Sequence, residues 1–163
     1  MSASAGFWLR LGVGTALASG CLVALTPTRP ATLLPWPAAC FLGAGCGLFL
    51  FALVARARPR LPLLGRWPIT AGKLAVFALW ATNEEVVWRR VALGELLPAG
   101  VVPALVASTV GFAMLHRARP AAHLATGGAF GVLYVATGAL AASVAAHWTY
   151  NILVAGLVER NRA

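Results

Sequence analysis

Ala81-Thr82-Asn83-Glu84-Glu85-Val86-Val87-Trp88-Arg89-Arg90 sets two adjacent glutamates and two adjacent arginines inside an apolar run over about 72–93. That run matches the ~20 apolar residues a helix needs to cross a bilayer. An ionisable group deep in a span costs about 2.5–3.5 kcal/mol on insertion scales, so it faces the bundle interior and marks a functional site. Spacing sorts the charges. Glu85 and Arg89 stand at i and i+4, on one helical face and in the order that suits an ion pair. Glu84 projects about 100° away at 3.6 residues per turn. The pattern predicts a structural ion pair beside a second carboxylate left available for chemistry.

Working outward, the whole chain reads as membrane protein. Of its 163 residues 60% are hydrophobic and 10% charged, with a mean hydropathy of +0.82. Soluble domains sit nearer 45–50% apolar and about 25% charged. A core of this size cannot bury that much apolar surface, so lipid must act as solvent. We expect an all-α polytopic transmembrane helix bundle of about six spans with no soluble domain, over about 6–26, 33–55, 72–93, 99–116, 121–138 and 140–157. Gly94-Glu95-Leu96-Leu97-Pro98 reads as a short turn between the third and fourth. A basic, proline-punctuated loop with Arg56, Arg58, Arg60, Arg66 and Lys73 separates the second from the third.

The formal net charge of +9 does not point to nucleic acid. The basic residues fall in gaps between apolar runs, where a positive-inside bias puts them, and aromatic residues are not interleaved with them. With both termini cytoplasmic, ten of the thirteen basic residues lie inside, Arg29 lies outside, and Arg89 and Arg90 fall within the third span. Cys21, Cys40 and Cys46 are odd in number and match no metal spacing, which suits small packing residues. Leu17-Ala18-Ser19-Gly20-Cys21 is faintly like a lipoprotein signal, but Ala18 stands where leucine is usual, so a retained first helix is expected.

Two further polar patches join the glutamates. The fourth span ends Gly111-Phe112-Ala113-Met114-Leu115-His116, and Phe112 shares a face with His116 so that its ring can wall the pocket the imidazole enters. The sixth carries Ala145-Ala146-His147-Trp148-Thr149-Tyr150-Asn151, with His147 and Asn151 one turn apart. Alone, the second pair fits interhelical hydrogen-bond glue equally well, worth about 0.6 kcal/mol. Together the patches bring a carboxylate, two imidazoles and an amide from three helices, the parts of a water-activating site. Burial suits such a carboxylate to act as a general base, and Asn151 can donate to a developing oxyanion. Gly127, Gly128, Gly131, Gly138, Ala141, Ala142, Ala145 and Ala146 mark the fifth and sixth spans as tightly packed core helices.

Glu84-Glu85-x-x-x-Arg89, Phe112-x-x-x-His116 and His147-x-x-x-Asn151, with Gly131-Val132-Leu133-Tyr134 between the last two, resemble the signature of the type II CAAX prenyl endopeptidase and bacteriocin-processing family. The resemblance covers about 72–157. It implies an intramembrane endopeptidase in which Glu84 is the general base on a water held with His116 and His147. Glu85 and Arg89 would be the supporting pair with Phe112 beside them, and Asn151 the oxyanion-side donor. The family has been described both with and without a metal. The lack of a His-Glu-x-x-His pair favours no cofactor, with zinc on Glu84, His116 and His147 as the alternative.

The chain divides on this reading into two N-terminal helices with the basic loop, 1–66, and a four-helix catalytic core, 67–163. Its length and composition are similar to the small myxosortase-like branch. That implies a protein substrate with a C-terminal membrane segment or sorting tag, in a bacterial inner membrane. A scaffold or immunity protein of the same fold and a proton-coupled transporter are the competing functions; the transporter is disfavoured by the lack of internal repeats. His116 directly precedes Arg117, whereas Glu84 lies about 16 Å past Lys73 at 1.5 Å per residue. Either the fourth helix plunges inward with Arg117 and Arg119 snorkelling, or the bundle is tilted.

Overall fold

The computed structural model describes residues 3–54, 71–116 and 118–160. Arg56, Arg58, Arg60, Arg66, Arg117 and Arg162, on which much of the charge-bias argument rests, lie outside the described residues. Every regular element among the described residues is helical. The chain runs through α1 (Ala3–Ala24), α2 (Trp36–Val54), α3 (Ala71–Glu85), α4 (Val101–Leu115), α5 (Pro120–Thr137) and α6 (Leu140–Arg160). These six follow the six expected segments in order and form a helical membrane bundle. By length and composition three can cross a membrane, Ala5–Ala24, Trp36–Val54 and Leu140–Leu157, while Val101–Leu115 is apolar but shorter.

The third segment departs from the regular helix expected of it. Beyond Glu85 the chain continues as eight π-helical residues, Val86–Leu93. A π-turn inserts an extra residue and rotates all that follows, and such turns gather at functional sites. Here the rotation accompanies burial of two consecutive arginines, Arg89 at 0% exposure and Arg90 at 7%. Arg90 Nη1 donates to the carbonyl of Pro27 at 2.7 Å, pinning the α1–α2 connection. The other end of that connection is held by Leu33 N–H on the Thr137 carbonyl at 2.9 Å.

The turn expected at 94–98 lies later. Gly94–Leu96 stays α-helical and Leu97–Ala99 tightens to a 3-10 turn. Reversal falls at Gly100, whose φ of 110° lies in the region that favours glycine. Leu96 and Leu97 are good helix formers, so the helix runs on until a residue that can turn.

Packing also redistributes the helices. The alanines of α6 meet α2 as well as α5: a Cβ on Gly43 would strike the Ala142 carbonyl, and one on Gly47 would strike the Ala146 carbonyl. The two glycines are one turn apart, so the backbones cross closely, the small-residue contact that lipid favours. Ala39, Leu50, Phe130, Leu133, Ala142 and Ala146 form one core cluster across α2, α5 and α6. Helix α1 packs instead on α3, through Asn83 Nδ2–H on Thr15 Oγ1 at 2.8 Å and Phe7 stacked on Trp80 at 5.5 Å.

The crossing predicts a stability difference between neighbouring glycines. Gly47→Val forces a side chain to within 2.9 Å of the Thr149 Cβ, and overpacking of this kind costs about 1–3 kcal/mol. Gly45→Ala meets nothing within 4 Å and is expected to leave the thermal unfolding midpoint in detergent unchanged. Equal midpoints for the two variants would contradict the close crossing.

Candidate active site

Glu84 and Glu85 leave α3 in different directions and find different partners. The Glu85 carboxylate is fully buried, with Oε2 3.2 Å from Arg89 Nε. That pair is close enough for an ion pair but misaligned for a hydrogen bond, and neither Nη atom of Arg89 has a hydrogen-bond partner among the described residues. The contact is therefore coulombic. The guanidinium also lies over the Phe112 ring, 5.1 Å from its centroid.

The other oxygen of Glu85 meets His147 Nδ1 at 2.8 Å. A carboxylate opposite an arginine accepts, so Nδ1 of His147 donates to Glu85 and the ring presents Nε2 to the cavity side. His116 is set in the same way. Its Nδ1 lies 2.8 Å from the Phe112 carbonyl, which can only accept. Both imidazoles thus turn Nε2 toward Glu84: His147 Nε2 is 3.5 Å from Oε2, and His116 Nε2 is 3.6 Å from Oε1. These gaps exceed a direct hydrogen bond, and a polar gap of that size is where a bridging water fits. Trp80 Nε1–H donates to Glu84 Oε1, fixing the carboxylate from one turn below.

These groups open onto a cavity of about 490 Å³. Glu84, Phe112, His116, His147 and Asn151 all line it, while Glu85 and Arg89 lie behind. Phe130 stacks on the His147 ring at 5.0 Å, and Phe112 lies edge-on to it at 6.1 Å. His116 sits just past α4, with φ −104° and ψ 74°, and its imidazole reaches Glu84 from the helix end. Among the described residues no group of three or more His, Cys, Asp or Glu side chains is gathered to hold a metal ion.

Four contributors escaped the sequence reading. Trp80 stands four residues before Glu84, the spacing of one turn, and was legible in principle. His123 lines the cavity and belongs to no motif. Phe7 and Arg10 bring α1 to the cavity wall, and nothing in their spacing along the helix announces that contact.

Fold and site together define a polytopic helical membrane protein with a carboxylate–imidazole centre facing a cavity inside its bundle. The family model described as "Type II CAAX prenyl endopeptidase Rce1-like" matches residues 66–153, and the chain belongs to that family. It is accordingly an integral membrane protein of the CAAX-type intramembrane protease class. No curated protein and no solved structure matches the chain.

Proposed function

We propose that the protein is an endopeptidase that hydrolyses a peptide bond near the C-terminal membrane segment of a protein substrate, using water activated by Glu84. The observation that carries this reading is the placement of two imidazole Nε2 atoms 3.5 and 3.6 Å from the two oxygens of one cavity-facing carboxylate. Glu84 takes a proton from a water held against the imidazoles as the water oxygen attacks the scissile carbonyl carbon. Asn151 donates its amide hydrogen to the oxyanion that forms. The Glu84 carboxyl then returns the proton to the leaving nitrogen as the C–N bond breaks. Glu85 fixes the His147 tautomer, and Arg89 balances the charge of Glu85.

The substrate class we favour is an exported protein bearing a C-terminal sorting tag, in a bacterial inner membrane with both termini of this chain cytoplasmic. Co-expression with candidate tagged proteins, followed by mass spectrometry of their C-termini, tests it. Shortened termini with wild type and intact ones with Glu84→Ala are expected; identical termini in both would sink the protease reading. The mechanism carries no metal step. Cleavage by the purified protein is expected to survive exhaustive chelation within experimental error, and loss of activity restored by zinc would replace the metal-free scheme.

A further inference from the structure

We infer that His123 is a positioning residue of this site: its ring holds the plane of His116 and so keeps that imidazole's Nε2 aimed at Glu84. The inference rests on the protease reading and deepens it. The chain has three histidines, and all three line the same cavity. His116 and His147 face Glu84. His123, on the first turn of α5, contributes instead through its ring face.

The geometry is specific. The His123 ring stacks on His116 at 4.3 Å and 26°, and it meets Phe112 edge-on at 5.8 Å and 68°. His116 needs such support because it caps the end of α4, its backbone N–H held by the Ala113 carbonyl at 3.0 Å while its own dihedrals leave the helix. One hydrogen bond, from Nδ1 to the Phe112 carbonyl, fixes one ring atom and leaves the ring able to tilt about it. Phe112, 4.5 Å from the His116 ring and tilted 42° to it, limits that tilt incompletely. The stacked His123 removes the remaining freedom. Its place is set by the chain reversal before α5, where Arg119 adopts a positive φ of 61° and Pro120 opens the helix.

A flat ring is what this role requires, so phenylalanine should serve where alanine fails. The test uses the full-length protein in detergent, labelled with 15N-histidine, as wild type, His123→Phe and His123→Ala. Kinetics are read on a substrate found by the co-expression experiment. His123→Ala is expected to lose about tenfold in kcat with KM within about twofold, and His123→Phe to stay within about threefold of wild type. In the labelled protein the His116 resonances shift or broaden in His123→Ala and not in His123→Phe.

Two outcomes overturn the proposal. One is His123→Ala with wild-type kcat and unchanged His116 resonances. The other is His123→Phe as slow as His123→Ala, which assigns the role to the imidazole's proton instead. Should wild type cleave nothing, the protease reading falls, while the spectra still decide whether His123 orders His116.

Discussion

Glutamine in place of Glu84 is expected to slow cleavage by about 10²–10⁴-fold, the range that a positioned general base contributes, while leaving the bundle folded. Two features make this substitution informative. The amide keeps an oxygen that can accept from Trp80 Nε1–H, which now bonds the carboxylate. It has nearly the same volume, so neither imidazole loses its neighbour. What disappears is the capacity to take a proton from water. His147→Ala is expected to abolish cleavage too, but less cleanly, because it also empties the partner of Glu85 and the ring stacked on Phe130. Comparing kcat with the unfolding midpoint separates the two cases. A glutamine variant that cleaves at the wild-type rate would remove Glu84 from the chemistry.

The parts of this arrangement that were legible in the sequence are those that depend on spacing along one helix. Glu85 and Arg89 are four apart and meet at 3.2 Å. Membrane character follows from composition alone, because apolar surface in such excess admits no other solvent. What was not legible depends on packing between helices. The π-turn of Val86–Leu93 is invisible to a 3.6-residue period, since the same letters serve either winding. The crossing of α2 with α6 was missed because helices apolar on every side carry no stripe to name a partner. The bond from His147 to Glu85 spans 62 positions, and motif order alone says nothing about which glutamate each imidazole meets. His116 meets Glu84 although it directly follows the last helical residue, which the count of residues from the basic ends does not anticipate. In the structure α4 ends at Leu115, and the residue after it is free of helical geometry.

Removing the arginine behind the site is expected to be more damaging to the fold than any change in the cavity itself. Glu85 and Arg89 are both at 0% exposure, and deleting one partner of a buried ion pair costs about 3–5 kcal/mol because the other charge is left uncompensated. Arg89→Ala therefore strands the Glu85 carboxylate against His147 and also takes the guanidinium from the face of Phe112. Lysine is expected to restore little, since an ammonium lacks the planar group that lies on that ring. Paired replacement behaves differently. Glu85→Gln with Arg89→Met removes both charges together, and exchanging a buried pair for neutral groups of similar volume is often tolerated. The glutamine oxygen still accepts from His147 Nδ1, so the imidazole keeps its tautomer. The double variant should regain most of the midpoint lost by Arg89→Ala and recover measurable cleavage, whereas Glu84→Gln keeps the midpoint and loses cleavage. That crossed result assigns stability to one glutamate and chemistry to its neighbour. Arg89→Ala unfolding at the wild-type temperature would refute the assignment of Arg89 as the charge that keeps Glu85 buried.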